Sequence, residues 1–488
     1  MVKKKKTVEE LLNEALVPVE EQPYEVPENW VWASLKSINS SKKRGFQPKD
    51  SLDETFELYS VPSYPTGIPE KVMGHEIGSS KQFVNEDNVL LCKINPRINR
   101  VWKVSKSQQN YRQIASTEWI VVENLKLNAD YILYFLKVPF FRKLLTSNVT
   151  GVGGSLTRAR PKEVENYPIP IPPLNEQKRI ADKVERLLSK VDEAKKLIEE
   201  AKESFELRRA AILDKAFRGE LTREWRRKNS NSIEGNYYIN KDDVITNEDE
   251  EYSDILYALP NSWNWFKLKD FENDEQLVLT GPFGTSLGKK DFVNSGVPVL
   301  TIGCLTENGL SLEKANYVTE VKAKELSKYQ LRKGDILFSR MATVGRASIV
   351  ESDHINSIFN YHIMRVRLPQ ELNISYFLYV VKGSISTKRY LKKVNHGATR
   401  DGINTNELLN LPIPYPSFKE QEVIVEKIND FYKRENIVME YVENCEKKLL
   451  LLKQSILSKA FKGELGTNEP FEENAIELLK EVLQEQSR

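Results

Sequence analysis

The sequence repeats one stretch after 244 residues, and this duplication constrains the fold more than any other feature. Residues 163–221 align without a gap on residues 407–465, and 20 of the 59 positions are identical. The identities concentrate at the two ends, as PIPIPPLNEQ opposite PIPYPSFKEQ and as KAFRGEL opposite KAFKGEL. A weaker echo, VPENWVWASL opposite LPNSWNWFKL at an offset of 233, opens each half. The chain therefore consists of two variable domains, each followed by a closely similar segment.

Each repeated segment has the apolar spacing of a long helix. Apolar residues recur at alternating intervals of four and three, which is the heptad pattern of a coiled coil, and only Arg208 and Glu435 interrupt it. The predicted seam consists of Ile180, Val184, Leu187, Val191, Ile198, Phe205 and Ile212 in the first copy, and of Ile424, Ile428, Phe431, Val438, Val442, Leu449, Leu452 and Ile456 in the second. Gly219 and Gly463 follow as expected C-terminal caps.

A single apolar seam on a helix of about 43 residues, roughly 65 Å long, has to be buried. Its own duplicate is the available partner. The intervening domain leaves room for an antiparallel arrangement, which we predict. Parallel packing, or pairing with another chain, remains an alternative.

Prolines at every second position precede both helices, from Pro168 and from Pro412. This spacing favours a stiff, extended strut and disfavours a central sheet strand or a helix interior. A ligand for proline-binding domains would also be proline-rich, but strut and helix recur together, which favours the strut. The tryptophan pairs Trp30/Trp32 and Trp263/Trp265 alternate as in a strand and are expected to close each domain's core.

Charge is segregated along the chain. Residues 24–160 contain 19 Lys/Arg against 13 Asp/Glu, and residues 256–411 contain 20 against 15. Residues 230–257 contain eight acids and one base, which is typical of a solvated linker. Two basic domains flanking an acidic linker favour a polyanionic partner, although an ordinary solvated surface could have the same modest excess.

No motif indicates catalysis or a bound cofactor. The four histidines are scattered and lack zinc-ligand spacing with the three cysteines, which we interpret as buried thiols of a reducing cytosol. GPFGTSLGKK lacks the spacing of a phosphate-binding loop, and NPRINR lacks the aromatic residue of the methyltransferase NPPY motif. The glycines of TGVGGSL and HGATRDGI could approach a phosphate, but we favour simple turns.

At these residues the sequence resembles the specificity subunit of type I restriction-modification systems. That family has two target-recognition domains, each followed by a PxPxPxxxEQ junction and a long helix that ends near KAFxGxL, and the resemblance extends from about Val26 to Leu465. LTGPFGTSLGKKDF and LRKGDILFSR in the second half add to it, whereas the first half has NEDNVLLCKINPRINRVW in place of the latter.

The resemblance implies a DNA-binding subunit without a reaction of its own. The expected partners are double-stranded DNA, two modification subunits that supply S-adenosylmethionine and methyl transfer, and restriction/translocase subunits. The two domains would read two separated half-sites, and the long helices would hold the modification subunits. A non-DNA coiled-coil scaffold and a self-contained DNA-modifying enzyme are the alternatives.

The predicted fold class is α+β, with two mixed α/β recognition domains separated by two long antiparallel helices and related by a pseudo-two-fold duplication. The predicted segments are an N-terminal helical segment (1–23), the first recognition domain (24–173), the central long helix (174–222), an acidic linker (223–257), the second recognition domain (258–416), the distal long helix (417–466) and a C-terminal helical tail (467–488). No apolar run is long enough to span a bilayer and no secretory signal is evident, so we expect a cytoplasmic protein without a membrane contact.

Basic residues next to glycine or proline breaks are the candidate DNA contacts, because such breaks indicate loops. They are Lys42, Lys43, Arg44, Arg97, Arg100, Arg158 and Arg160 in the first domain, and Lys289, Lys290, Arg340, Arg346 and Arg400 in the second. No metal ligand, catalytic residue or cofactor site is predicted in this chain.

Overall fold

The computed structural model describes residues 6–42, 44–124, 126–151, 157–229, 243–246, 248–271, 276–306, 309–341, 344–395 and 402–486. The chain divides into two compact units, one of Met1–Glu199 with Glu443–Arg488 and one of Glu200–Val442. Each unit therefore contains one globular domain together with one end of each long helix. Within these described stretches, no helix has both the length and the apolar character needed to cross a membrane.

The first unit is built from short strands and helices, followed by a long helix that continues into the second unit. In chain order the elements are α1 (Val8–Ala15), β1 (Val31–Ser34), α2 (Leu35–Ile38), β2 (Gly45–Phe46), β3 (Thr55–Tyr59), β4 (Glu70–Met73), β5 (Lys81–Phe83), β6 (Val89–Cys92), β7 (Val101–Lys103), β8 (Arg112–Ser116), β9 (Trp119–Val122), α3 (Ala129–Phe135), α4 (Pro139–Ser147), β10 (Val149–Thr150), β11 (Arg158–Ala159), α5 (Pro161–Val164), β12 (Pro168–Ile171) and α6 (Leu174–Phe217).

The second unit repeats this plan, again with twelve strands among the described residues. Its elements are α7 (Arg223–Lys228), β13 (Asn264–Lys267), β14 (Val278–Thr280), β15 (Phe292–Val293), β16 (Val297–Leu300), β17 (Leu305–Thr306), β18 (Gly309–Leu310), β19 (Asn316–Val318), α8 (Glu320–Glu325), β20 (Ile336–Ser339), β21 (Ala347–Ile349), β22 (Ile358–Phe359), β23 (Ile363–Val366), α9 (Ile374–Gly383), α10 (Ile385–Val394), α11 (Thr405–Leu409), β24 (Pro412–Tyr415) and α12 (Phe418–Ala460). The end of α12 and the final helix, α13 (Ala475–Gln486), belong to the first unit.

The sheets of the two units correspond in part. The first unit has a five-stranded sheet in the order β2-β5-β8-β3-β4, a three-stranded sheet β7-β6-β9, and the pairs β1-β12 and β10-β11. The second has four-stranded sheets β14-β23-β20-β21 and β15-β19-β16-β22, and the pairs β13-β24 and β17-β18. The order β7-β6-β9 corresponds to β21-β20-β23, and β1-β12 corresponds to β13-β24, so these strands form the frame that the two halves share.

The proline-spaced strut is a strand in both units. β12 pairs antiparallel with β1 so that Pro170 lies opposite Trp32, and β24 pairs with β13 so that Pro414 lies opposite Trp265. The segment is therefore extended and does not lie in the centre of a sheet, as predicted, although it does pair with one neighbouring strand. A two-stranded ladder tolerates them because a strand with one neighbour can turn its missing donors away from that neighbour.

The tryptophans and both chain termini contribute to the cores. Trp30, Trp32, Trp263 and Trp265 are buried, as expected. The predicted helix near the N-terminus is α1, and the predicted tail helix is α13. Both pack into the core of the first unit, through the buried residues Leu12, Ala15, Leu479 and Val482.

Part of the acidic stretch is not a solvated linker. Of the expected linker, residues 230–242 lie outside the described residues, but Ile245, Tyr252 and Ile255 are buried in the core of the second unit. Ile245 also forms an antiparallel bridge with Trp265. The correction has a simple reason: the acidic residues dominate the composition, whereas a few interspersed apolar side chains determine the packing.

The long helices run antiparallel within each unit. In the first unit the early part of α6 pairs with the end of α12, and the ammonium of Lys453 lies 3.6 Å from the carboxylate of Asp192. In the second unit the end of α6 pairs with the beginning of α12, and the Arg209 guanidinium donates to Asn436 Oδ1 over 2.6 Å. In both units low residue numbers on one helix meet high numbers on the other, which is the antiparallel coiled coil.

The seam differs from the prediction in phase along part of α12. Of the predicted residues, Ile180, Val184, Val191, Phe205, Ile424, Ile428 and Ile456 are buried, and Leu187, Ile198, Ile212, Phe431, Val442 and Leu449 are half-buried. Val438 and Leu452 are 47% and 48% exposed, so the seam does not pass through them. Buried Leu188, Leu213, Glu435 and Leu457 were not predicted to be part of it.

The long helices have the glycine caps expected at their C-termini. Gly219 and Gly463 have φ values of +73° and +76°, the left-handed conformation of a capping glycine. Cys92 and Cys304 are buried as expected, but Cys445 is exposed on α12, which corrects the expectation of three buried thiols.

Candidate nucleic-acid interface

The first domain is joined to its helix by a buried carboxylate and a buried amide, Glu176 and Gln177. The Trp30 indole N–H donates to Glu176 Oε2 over 2.7 Å, and the Asn468 side chain donates to the same oxygen over 2.9 Å. Gln177 Oε1 accepts from the backbone N–H of Asn128 over 2.9 Å. These hydrogen bonds fix the segment before β1, the start of α6 and the C-terminal tail at one point, which we call the first junction clamp. Burial raises the pKa of Glu176.

The second unit repeats the arrangement at Glu420 and Gln421, the second junction clamp. The Trp263 indole donates to Glu420 Oε2 over 2.9 Å and the Thr222 hydroxyl to Oε1 over 2.6 Å. Here a guanidinium joins, since Arg226 donates to Oε1 over 2.5 Å. The repeated EQ dipeptide therefore positions each domain on the coiled coil. At the start of α12 the Ser417 hydroxyl accepts from the Glu420 N–H over 3.4 Å, while the Glu420 carboxylate accepts from these side chains.

The basic residues predicted near the start of the first domain border an open groove. Lys42 and Arg44 are exposed and line a groove of about 440 Å³ whose other walls include Glu123 and Glu485. Lys43 lies outside the described residues. The two acids partly offset the charge of the two bases, so this groove is a mixed surface.

The loop between β6 and β7 carries the next predicted pair. Arg97 is exposed, whereas Arg100 is half-buried and donates to the Ile94 carbonyl over 3.3 Å. The backbone of this loop is unusual, since Asn95 and Asn99 have φ values of +50° and +51° on either side of the 3₁₀ turn. Asparagine tolerates this left-handed region better than most residues, which explains the NPRIN sequence.

β11 brings the last predicted pair of the first domain to the same loop. Arg158 forms an isolated antiparallel bridge with Ile94, and its guanidinium lies 3.4 Å from the Glu118 carboxylate. Arg160 is exposed two residues further along. The structure therefore brings Arg97, Arg100 and Arg158 together around one loop, which the sequence alone did not indicate.

The predicted residues of the second domain fall into two groups. Lys289 and Lys290 are exposed at a 3₁₀ turn before β15. Arg340 and Arg346 lie on either side of the loop between β20 and β21, which corresponds to the β6–β7 loop of the first domain. Arg346 donates to the Leu305 carbonyl over 3.2 Å. Arg400 lies outside the described residues.

One residue in each domain makes the same two backbone hydrogen bonds, and we call the group of side chains around that residue a corner. In the first, the Lys93 carbonyl accepts from Ala159 N over 2.8 Å, and Lys93 N donates to the Glu118 carbonyl over 3.0 Å. We call Lys93, Thr117, Glu118 and Arg158 the first corner. It carries two cationic side chains and one carboxylate.

The second domain has the same contacts at Arg340. Its carbonyl accepts from Ile403 N over 2.9 Å, and its N–H donates to the His362 carbonyl over 3.2 Å. Met341 bridges Gly402 as Ile94 bridges Arg158. We call Phe283, Arg340, Tyr361 and His362 the second corner. The two corners share their frame and differ in their side chains.

Sequence reasoning selected Arg158 and Arg340 but missed the other corner residues. Lys93 and Arg340 each come directly after the corresponding strands β6 and β20, a signal that the alignment of the two halves contained. The described residues include no group of three or more His, Cys, Asp or Glu side chains arranged to hold a metal ion.

The repeated frame and the paired long helices define a two-domain protein built by duplication. The family model for the type I restriction modification DNA specificity domain matches residues 27–203 and 260–444. The chain therefore belongs to the family of type I restriction-modification DNA specificity subunits, and its role in such a system is recognition rather than catalysis. A non-DNA scaffold and a self-contained enzyme are not supported.

Two curated relatives agree with this assignment, and one solved structure shares the fold. The chain is 25% identical over 346 residues to the EcoBI specificity subunit of Escherichia coli, an alignment that covers 71% of this chain and 68% of that relative. It is 24% identical over 444 residues to the MjaVIII specificity subunit of Methanocaldococcus jannaschii, covering 88% of this chain and 92% of that relative. The HsdS subunit from Thermoanaerobacter tengcongensis has a similar fold at 20% identity and a TM-score of 0.53, over 92% of this chain and all of that one.

Proposed function

We propose that this chain directs a type I restriction-modification complex to a bipartite DNA target, with each globular domain contacting one half of the target. The observation that carries the proposal is the duplicated frame with two dissimilar corners. A repeated frame provides two equivalent binding geometries, and different side chains at equivalent positions provide two different sequences to be read.

We further propose that two modification subunits and the restriction/translocase subunits assemble on this chain, in the cytoplasm, where the DNA is. Methyl transfer from S-adenosylmethionine would take place in the modification subunits, and this chain would bind no cofactor. Supporting this, the long helices expose large apolar side chains: Leu197, Leu450 and Leu451 in the first unit, and Leu207, Ile437 and Tyr441 in the second. Exposed apolar side chains of this size on paired helices are typical of a protein interface.

The partner surface can be tested with a matched pair of double variants on α12. Leu450→Ala with Leu451→Ala should reduce co-purification of the modification subunit without changing the melting temperature, because both side chains are more than half exposed. Lys447→Ala with Lys448→Ala, on the same helix and also exposed, is the control. Equal co-purification by both variants would contradict the assigned surface.

The function itself is tested by mapping methylated bases in DNA from cells that express the complete system, with and without this chain. We expect a methylated motif of two specified base sequences separated by a spacer of unspecified bases. This motif should be present only when the chain is expressed. Methylation that is unchanged when the chain is omitted would refute the proposed role.

A further inference from the structure

One large aromatic side chain of the second domain remains exposed although its loop is firmly held. Phe283 is 58% exposed in the loop after β14. The loop lies directly against the chain before β23, because a Cβ on Gly281 would come within 2.2 Å of the Asn360 carbonyl oxygen. Ser286 N donates to the Phe283 carbonyl over 2.9 Å and closes a turn. The backbone thus fixes an apolar ring at the surface.

Phe283 lies at one end of a row of rings and beside a cation. Its ring centroid is 5.9 Å from that of Tyr361, which in turn is 3.8 Å from the His362 ring. The guanidinium carbon of Arg340 lies 5.8 Å from the Phe283 centroid. Burial and the neighbouring guanidinium lower the pKa of His362, so that its ring is uncharged at neutral pH.

Two carbonyl groups orient Arg340. Its Nε donates to the Ile403 carbonyl over 3.2 Å, and its Nη1 lies 3.5 Å from the Tyr361 carbonyl oxygen. The remaining nitrogen, Nη2, has no hydrogen-bond partner among the residues that the structure describes. A guanidinium fixed by the backbone in this way is prepared to donate to a further acceptor with little loss of side-chain entropy.

We propose that the second corner, formed by Phe283, Arg340, Tyr361 and His362, contacts base pairs in one half of the DNA target. The inference rests on the proposed function and adds to it the residues that read one half. Arginine is the side chain best suited to the acceptor pair of guanine, and exposed rings make apolar contacts with base edges or stack on bases.

The first corner supports the assignment because it has the same place in its own frame but different chemistry. Lys93 donates to the Thr117 carbonyl over 2.7 Å, as Arg340 approaches the Tyr361 carbonyl. Glu118 stands where the second corner has His362, and no aromatic ring occurs among Lys93, Thr117, Glu118 and Arg158. Two different half-sites present different hydrogen-bonding groups, so the two domains need different donors and acceptors at equivalent positions.

The test uses the assembled complex of the full chain with its modification subunits and a duplex carrying the motif mapped for the wild type. Arg340→Gln and Phe283→Ala are the test variants. Val321→Ala, at a side chain of the same unit that is 70% exposed, and Lys328→Gln, at an exposed base that is not among the predicted DNA contacts, are the controls. Binding and methylation are measured on this duplex and on duplexes with single substitutions in either half.

We expect Arg340→Gln to weaken binding of the wild-type duplex about 10- to 100-fold and to abolish discrimination at one base pair of one half. Phe283→Ala should weaken binding about tenfold with the same half affected. Both test variants should keep the wild-type discrimination in the other half of the target, the wild-type gap length and the wild-type melting temperature. The control variants should bind the wild-type duplex within twofold of the wild-type affinity.

Two results would overturn the inference. One is a wild type that reads a bipartite motif while both test variants retain its affinity and discrimination. The other is a loss of partner subunits rather than of DNA discrimination, which would make the second corner a protein interface. A wild type without a bipartite motif would instead refute the proposed function, and the inference with it.

Discussion

Glu176 and Glu420 occupy the same place in the two halves of the duplication but have different neighbours. Both are fully buried and accept a tryptophan indole N–H. Only Glu420 also has a cationic partner, Arg226, whose side chain is itself largely buried. Burial raises the pKa of Glu176, whose hydrogen-bond donors are neutral side chains, whereas Glu420 has a guanidinium among its donors.

Replacing each glutamate by glutamine therefore has unequal consequences. Glu420→Gln should lower stability by about 3 kcal/mol, because it leaves the Arg226 guanidinium buried without a counter-charge. Glu176→Gln should cost no more than about 1 kcal/mol, because it keeps an acceptor for Trp30 and removes a carboxylate that is expensive to bury. Calorimetric unfolding of the two variants measures the difference, and equal destabilisation would contradict the stabilising role of the Arg226 contact.

The raised pKa of Glu176 also predicts a pH dependence. Since folding raises this pKa above its ordinary value of 4.5, the group favours the folded state at low pH. That contribution is lost as the pH rises through the folded-state pKa. The melting temperature of the wild type should therefore fall relative to that of Glu176→Gln as the pH increases from 4.5 towards neutrality. A constant difference across this range would show that Glu176 titrates normally.

The clamp contacts could not have been predicted from the sequence. The repeated EQ dipeptide was visible, but the partners Trp30 and Asn468 lie 146 and 292 residues away from Glu176 along the chain. Spacing arguments work within a helix or a turn and give no information over such separations. The same limit explains why Phe283, Tyr361 and His362 were not associated with Arg340.

At the scale of elements, the long helices were the most predictable part of the fold. The heptad spacing predicted that the two helices exist and how long they are, and the terminal glycines predicted where they end, because helix geometry depends on neighbouring residues in the sequence. The phase of the seam was less predictable along α12, where Glu435 is only 5% exposed and Val438 is at the surface. Glu435 lies inside because Arg208 and Arg209 of α6 approach it, at 3.4 and 3.8 Å.

This buried carboxylate predicts opposite effects for two substitutions. Glu435→Ala should destabilise the second unit by about 1–3 kcal/mol, since it leaves a cavity in the buried seam as well as removing the carboxylate. Glu435→Leu should be neutral within about 1 kcal/mol or stabilising, because Oε2 has no hydrogen-bond partner among the described residues and an apolar side chain can fill the seam.

Thermal unfolding measures both, with Glu440→Ala, at an exposed site on the same helix, as the control. A leucine variant as unstable as the alanine variant would show that the ion pair, rather than the filled volume, stabilises this layer.

At the scale of the whole molecule, the duplication predicted the order of domains and helices, since each half must repeat one plan. It did not predict which segments complete each core. Ile245 and Tyr252 of the acidic stretch enter the second unit's core, and α1 and α13, from the two ends of the chain, share the first unit's core. Few apolar residues mark these segments, and their burial depends on contacts that are distant in sequence.

We propose that the two domains recognise the two halves of the DNA target independently. The most direct measurement exchanges residues 260–416 for the corresponding domain of another family member and maps the methylated motif made by the hybrid complex. We predict that one half of the methylated motif changes while the other half is retained. A hybrid complex whose motif changes in both halves, or in neither, would contradict independent recognition of the two halves.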